Sequence, residues 1–416
     1  MSASAQRTPH PAPKIALVLA GGAARGAYEV GVVQHIVEEV ARDIGREAPL
    51  DILCGTSVGA LNACALAAYA DEPRARVGRL IDVWTNLRIA DLVRVDLHGL
   101  LAMGKDMLRS ASAPAPATRE CALLDARGLE RLLATSVPFE RIDEHLRQGL
   151  VDAVTVSTTH VKSGRTVVFV QRKEPGLPPW SHDPTITPRA AALRVHHAMA
   201  SSAVPILFRA VRIDGEFHCD GGLRQNVPLS PARRLGATGV IVVNPRYIGG
   251  AAPEEPRATD EVFPGPLFLL GKALNALLLD RIDTDLARLE SINTILDAGL
   301  RRYGGEFVGE LNGELQKTRR RELRPLRAIL IRASKDIGKL SAEFIHSPSF
   351  NRRVGGVIGR VMRRLAEGDE ASEADLLSYL LFDGEFARQL IDIGRADARA
   401  RHEELCAFFE ERARAS

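Results

Sequence analysis

LDILCGTSVGALNACALAAYA, residues 50–70, decides the fold. Leu50 to Cys54 is a short apolar run of strand length. Gly55 to Gly59 is a glycine-bounded turn, and Ala60 to Ala70 is a stretch of small, helix-compatible residues. A strand that passes through a tight turn directly into a helix is a mark of α/β architecture. The turn itself, Gly55-Thr56-Ser57-Val58-Gly59, matches G-x-S-x-G. In a nucleophile elbow of this pattern the serine sits on a strained strand-to-helix turn. The flanking glycines leave room for close backbone packing, so Oγ projects free. A pentapeptide of common residues is a weak signal alone, because an ordinary tight turn reads the same way. The apolar strand before it and the small-residue helix after it supply the context the motif requires.

The segment upstream repeats the theme. Lys14 to Ala20 (KIALVLA) is a continuous apolar run, as expected of a parallel strand buried on both faces. Gly21-Gly22-Ala23-Ala24-Arg25-Gly26 forms a glycine-rich turn, and Ala27 to about Ile44 reads as a helix with Val30, Val33, Ile36, Val37 and Val40 on one side. Unpaired amides where a loop opens a helix favour an anion. That anion is either a dinucleotide pyrophosphate or the oxyanion of a tetrahedral acyl intermediate. The dinucleotide fingerprint G-x-G-x-x-G fails, because Ala23 holds the middle glycine position and no acidic residue closes a second strand at the expected distance. As an oxyanion hole, the loop would offer the Gly22 and Ala23 amides, aided by that of Val58.

Further along, Glu72 to Val137 is mainly helical in pattern, with a softer loop at Ser110 to Arg119. Asp152 to Thr159 and Thr166 to Gln171 read as strands, Glu174 to Pro188 as a loop, and Arg189 to Ser202 as a helix ended by Pro205. Phe208 to Ile213 and Glu216 to Cys219 flank Asp214-Gly215, a hairpin turn signal. Gly239 to Val243 is another buried strand. The expected organisation is a core over residues 14–247, a linker or boundary loop over 248–266, and a mostly helical region over 267–416. That last region adds a strand near 328–332 to the core sheet. Within it, Leu267 to Ile282 is apolar enough for a core or dimer-interface helix, a reading preferred to an interfacial lipid-access helix.

A serine nucleophile needs a base. Asp220-Gly221-Gly222 ends a strand and precedes Asn226-Val227-Pro228; a desolvated carboxylate can accept a serine proton directly. An Asp-Gly pair is also an ordinary turn. His196, His197 and His218 are the nearer histidines, each equally readable as a packing residue, whereas His346 and His402 lie in peripheral sequence.

Composition bounds the rest. The chain has 416 residues, 45% hydrophobic and 26% charged, with a net charge of +3, too small to imply a nucleic-acid partner. Basic runs at Lys317 to Arg327 and Arg360 to Arg364 read as solvated surface, with attraction to anionic headgroups as the sharper alternative. Five scattered cysteines show neither zinc-site spacing nor a disulfide framework. No metal or cofactor is expected. With no signal-like or membrane-spanning apolar stretch, the expectation is a cytosolic protein with at most peripheral membrane contact.

Three segments, GGAARGAYEVGVV, GTSVGA and Ala200 to Pro245, together resemble bacterial patatin-like phospholipases in order and spacing. The resemblance covers roughly Lys14 to Pro245. It implies a three-layer α/β fold with a mainly parallel sheet and a Ser–Asp dyad without histidine, acting on phospholipid or other acyl-ester substrates. Ser57 would be nucleophile and Asp220 base. Gly21, Gly22 and Ala23 would be oxyanion-loop residues completed by Arg25 and Gly26, with Gly55, Val58 and Gly59 in the elbow and Gly221 and Gly222 in the Asp-Gly-Gly motif. Ala23 departs from the third glycine of many members but keeps its N–H. Leu376 to Asp397 is similar to the tails of some bacterial members. The competing readings are an α/β-hydrolase with a Ser-Asp-His triad, a lipid-binding adaptor that keeps the fold without strong catalysis, and a nucleotide-binding protein. The first is disfavoured because the elbow follows a single strand–helix unit and no late histidine is well placed. Intact Ser57 and Asp220 argue against the adaptor. The broken fingerprint argues against the nucleotide-binding reading.

Overall fold

The structure, a computed structural model, describes residues 13–89, 94–95, 124–178, 180, 185–249, 282–317, 323–354, 359–360, 362–363, 366 and 377–415. The expected loop at Ser110 to Arg119 and the expected helix at Leu267 to Ile282, apart from its last residue, lie outside them.

The strands in chain order are β1 (Lys14–Leu19), β2 (Ile52–Thr56), β3 (Arg94–Val95), β4 (Leu124–Asp125), β5 (Ala153–His160), β6 (Thr166–Arg172), β7 (Ile186–Ala190), β8 (Val211–Ile213), β9 (Glu216–Asp220), β10 (Ala237–Asn244) and β11 (Arg327–Arg332). All but β3 and β4, which pair with each other, belong to one sheet ordered β11-β10-β1-β2-β5-β6-β7, with the β8–β9 hairpin attached to β5. From β11 to β5 every pairing is parallel. Parallel strands need crossovers that place helices on the faces, so both faces are buried and the strands read as unbroken apolar runs. Period-two alternation divides β1 accordingly. Ile15, Leu17 and Leu19 enter one core, and Ala16, Val18 and Ala20 the other.

Over the first face lie α1 (Gly26–His35), which continues through a π-helical turn at Ile36–Val40 to Asp43, α2 (Val58–Ala68) and α3 (Pro73–Thr85). α4 (Arg127–Ser136), α5 (Glu140–Gln148) and α6 (Val195–Ser201) follow on the same side. The second face is covered by α7 (Leu229–Arg234) and by Leu289 of α8 (Ile282–Tyr303). After α9 (Phe307–Lys317) and β11 come α10 (Ile337–His346), α11 (Pro348–Arg353), α12 (Gly384–Arg399) and α13 (His402–Ala415). This is a mixed α/β fold with a mostly parallel central sheet and a helical C-terminal region.

α12 crosses α1 with the backbones almost touching. A Cβ on Gly31 would lie 1.9 Å from the Ile391 carbonyl oxygen, and one on Gly394 would lie 2.0 Å from that of Tyr28. Tyr28 Oη donates to Asp397 at 2.9 Å across the same crossing. The C-terminal helix therefore seals the face of the helix that opens from the glycine-rich loop.

One reading of the sequence is corrected. Residues 186–190 were expected as the end of a loop and the start of a helix. They form β7, parallel to β6, and the helix begins only at Val195. Pro188 lacks a ladder donor and suits an edge strand, which β7 is.

Candidate active site

β2 ends at Thr56 and α2 begins at Val58, so Ser57 alone makes the turn. It has φ 54° and ψ −127°, a conformation costing a side-chain-bearing residue about 1–3 kcal/mol. Packing holds it there. A Cβ on Gly55 would lie 2.3 Å from the Gly59 carbonyl oxygen, and a Cβ on Gly59 would lie 2.4 Å from that of Leu19. Only glycine at both positions lets α2 descend this close to β1 and β2. The Ser57 amide donates to Ser201 Oγ at 2.8 Å, and that hydroxyl donates onward to the Ser157 carbonyl at 2.6 Å.

Strand register brings up Asp220. β2 pairs with β5 through Thr56 opposite Ser157, where β2 ends. The other edge of β5 is taken by β6, so the next residue, Thr158, pairs with Asp220 of β9 in β2's place. Ser57 and Asp220 thus meet head to head beside consecutive residues of one strand. Ser57 Oγ donates to Asp220 Oδ2 at 2.7 Å. The Gly222 amide donates to Asp220 Oδ1 at 2.7 Å, and a Cβ on Gly221 would lie 2.2 Å from the Ser157 carbonyl oxygen. Asp220 is fully buried, and burial pushes its carboxyl up to about 7 despite the Ser57 and Gly222 hydrogen bonds. Such a group is about half ionised at neutrality, and its carboxylate is basic enough to take a proton.

The glycine-rich loop runs past this pair. The Gly21 amide is occupied, donating to the Asn226 carbonyl at 3.1 Å, while Asn226 Nδ2 donates back to the Gly21 carbonyl at 3.3 Å. Gly21 therefore anchors the loop, and its N–H is already engaged. The amides of Gly22, Ala23 and Val58 have no protein acceptor among the described residues. Gly22 is extended at φ −175°, so space is what it needs: a Cβ there would lie 2.9 Å from Pro245. Ala23, at φ 47°, sits in the left-handed region that glycine occupies more cheaply. A Cβ on Gly26 would lie 2.4 Å from the Val58 side chain, tying the loop to the elbow.

Arg25 is buried and held from the far end of the chain. Its Nε and Nη2 donate to Ser378 Oγ at 2.7 and 2.5 Å, and its guanidinium lies 4.1 Å from the centroid of the Tyr379 ring. A few residues on, Phe382 stacks on Trp84 and lines the pocket at Ser57.

A patatin-like phospholipase family model matches residues 17–233, just over half of the chain. The chain belongs to the patatin-like phospholipase family. The crystal structure of VipD from Legionella pneumophila is similar at 14% identity and a TM-score of 0.31, over 92% of this chain and 67% of that one. Among curated proteins none matches. Members of the patatin-like phospholipase family are lipid acyl hydrolases.

Sequence reasoning missed parts of this patatin-like site. Ser201, between the Ser57 amide and β5, lay within the quoted resemblance but was assigned no part. Ser378, Tyr379 and Phe382 lie in a C-terminal segment whose likeness to other tails gave no hint of contact with the loop. The histidines fall elsewhere. The ring of His197 accepts from the Arg194 amide at 3.1 Å, and burial pushes its pKa down to about 3. His218 Nδ1 meets Thr158 Oγ1 at 3.0 Å, and its pKa is pushed down to about 4, by burial first and by the neighbouring Arg189 next. Among the described residues no cluster of three His, Cys, Asp or Glu could hold a metal ion, and no helix is long and apolar enough to cross a membrane.

Proposed function

We propose that the protein is a serine ester hydrolase of the phospholipase A or lysophospholipase type, with Ser57 as nucleophile and Asp220 as its base. The observation that carries this reading is the 2.7 Å hydrogen bond from Ser57 Oγ to a fully buried Asp220 at the head of an apolar pocket. In the acylation step Asp220 takes the hydroxyl proton as Oγ adds to the ester carbonyl. The tetrahedral oxyanion is received by the Gly22 and Ala23 amides, with Val58 adding the amide at the start of α2. Protonated Asp220 then returns the proton to the departing alkoxide, leaving an acyl-serine. Water, deprotonated by the same carboxylate, releases the fatty acid and restores Ser57.

The pocket supports an acyl chain as the bound group. Ala23, Val58, Leu61, Leu129, Val204, Phe208 and Phe382 surround Ser57. Val58, Leu61, Leu129 and Phe382 also line an adjoining pocket that follows α2 to Tyr69, with Leu80, Trp84 and Leu133 on its walls. This lining is almost wholly apolar, as a hydrocarbon chain requires.

A labelled fluorophosphonate probe and p-nitrophenyl acyl esters test the proposal. Wild type should be labelled and hydrolyse the esters, and Ser57→Ala should lose both, with turnover down on the order of a thousandfold or more. Wild-type-like turnover in a clean Ser57→Ala preparation would sink the mechanism.

A further inference from the structure

At the end of the helical layer remote from Ser57 lies a polar cleft that the hydrolytic site does not use. α2 leaves Ser57 and ends at Ala68, a run of roughly 16 Å at 1.5 Å per residue. The chain then turns into α3. Arg42, Arg46 and Glu47, from the end of α1 and the turn after it, face Glu72, Arg74 and Arg76 across a cleft.

The charges there are unevenly matched. Glu72 is engaged by Arg79 at 2.8 Å, and Arg42 pairs with Asp43 at 2.8 Å on the exposed surface. Arg46 donates to the Phe409 carbonyl at 2.6 Å and, among the described residues, forms no ion pair. Arg76 is the anomaly. It is only 5% exposed, and among the described residues its guanidinium makes no hydrogen bond or ion pair, with Nε buried and unpartnered. Burial pushes its pKa down to about 10, with Glu47 acting in the opposite sense from a distance. A buried, unpaired guanidinium is costly, and arginines in such positions ordinarily meet a carboxylate or a phosphate in fork geometry.

The backbone adds to the same field. α3 is 13 residues long, begins with Pro73 and has no side-chain cap. The Arg76 amide is used by the Glu72 carbonyl. The Arg74 and Ala75 amides stand at the positive end of the helix, among the first-turn donors that have no intrahelical acceptor.

We propose that this cleft is a binding site for a phosphoryl anion, gripped by Arg76 and Arg74 and by the first-turn amides of α3. A phosphoryl group suits it better than a carboxylate because donors converge from a guanidinium fork and a helix end, which calls for several acceptor oxygens. The lining, Arg42, Arg46, Arg74 and Arg76 against Glu47 and Glu72, has a net charge of +2, matched to a dianion. The same chemistry is offered by a soluble phosphorylated molecule and by the headgroup of an anionic lipid.

Thermal unfolding of the full chain in inorganic phosphate, against chloride at matched ionic strength, tests the site. Wild type should gain Tm with phosphate. Arg76→Met should lose that response and be at least as stable as wild type in phosphate-free buffer, because it removes an unpaired buried charge. Arg74→Glu, at an exposed position that cannot disturb the core, should weaken phosphate binding at least tenfold in calorimetry. Flotation with phosphatidylglycerol and phosphatidylcholine vesicles distinguishes the sources. Arg76-dependent binding to the anionic vesicles alone identifies a headgroup. A phosphate response with no Arg76-dependent vesicle binding identifies a soluble ligand. The proposal is overturned by a wild type that shows neither response, by an Arg74→Glu protein that binds phosphate as tightly as wild type, or by an Arg76→Met protein that is destabilised without phosphate.

Discussion

Ser57 and Ala23 are the two residues of the site held in left-handed backbone regions, at φ 54° and 47°. Such strain is informative when the surrounding packing over-determines it, as Gly55 and Gly59 do for Ser57. Ser57→Gly should therefore be about 1 kcal/mol more stable than Ser57→Ala in denaturant unfolding, because both lose the bond to Asp220 and only glycine relieves the strain, and neither should be labelled by a fluorophosphonate. Ala23→Gly should change stability by less than about 1 kcal/mol, because relief of strain and added unfolded-state entropy oppose each other. It should leave turnover nearly unchanged, because its amide remains. Equal stability of Ser57→Ala and Ser57→Gly would show that the elbow is relaxed. Asp220 carries the pH dependence. Its folded pKa, about 7, is raised above the ordinary carboxyl value of 3.8, so the native state holds a proton that the unfolded state has lost. The associated stabilisation is complete below about pH 4 and is lost as pH climbs through 7. Asp220→Asn should flatten that decline, read as the wild-type minus variant difference in unfolding free energy across the window. In the proposed mechanism activity runs the other way, since the carboxylate is the working form. The kcat/KM of wild type should rise to a plateau with a midpoint near pH 7, and a midpoint near 4 would remove burial of Asp220 as the tuning device.

Two pieces of chain, the glycine-rich loop and the segment around Ser378, meet only through tertiary structure. In this contact Arg25 meets a hydroxyl and an aromatic face. Ser378→Ala should leave the fold intact but let Arg25, and with it the Gly22–Ala23 amides, drift from the oxyanion position proposed for them. The expected result is a kcat loss of roughly tenfold or more with KM little changed, part of the loss typical of an oxyanion donor. Ser378→Thr should restore most of it. A change in Tm alone, with kcat unmoved, would reduce Ser378 to a packing residue. The same level of organisation explains what could be read from the chain. β1, β2 and β10 were legible because strands buried on two faces are unbroken apolar runs. The β8–β9 hairpin was legible because Asp214-Gly215 dictates a turn. β7 was not, since Pro188 reads as a loop residue until one knows that the strand lies on an edge. Asp220 was visible from its Asp-Gly-Gly context, but its approach to Ser57 depends on β9 replacing β2 along β5, a register no local pattern encodes. Ser201 and Ser378 carry no local signal at all, because small hydroxyls occur anywhere and their partners lie 144 and 353 residues away.

At the scale of the molecule, the family match ends at residue 233, yet the layer that supports the loop does not. β10 passes its outer edge to β11, so a chain stopped after residue 247 would leave β10 as a long, apolar, unpaired edge strand. The face of α1 that begins at the glycine-rich loop is covered by α12, through Gly31 and Gly394 and the Tyr28–Asp397 hydrogen bond. Leu390 and Ile391 from α12, and Leu405 and Phe409 from α13, are buried in the same core as Val30 and Val33 of α1. Removing them uncovers several large apolar side chains at about 1.5–3 kcal/mol each, which exceeds the marginal stability of a typical domain. A 1–247 fragment should therefore be aggregation-prone or molten, with hydrophobic dye binding, lost near-ultraviolet ellipticity and no fluorophosphonate labelling. The full chain should instead unfold α1, α12 and the sheet in one transition. Gly31→Ala offers the point-mutant version, because its Cβ has nowhere to go beside the Ile391 carbonyl. It should cost more than about 2 kcal/mol and depress labelling of Ser57 by loosening the helix that carries the loop. A cooperatively folded, probe-reactive 1–247 fragment would show that the C-terminal helices only decorate a self-sufficient core.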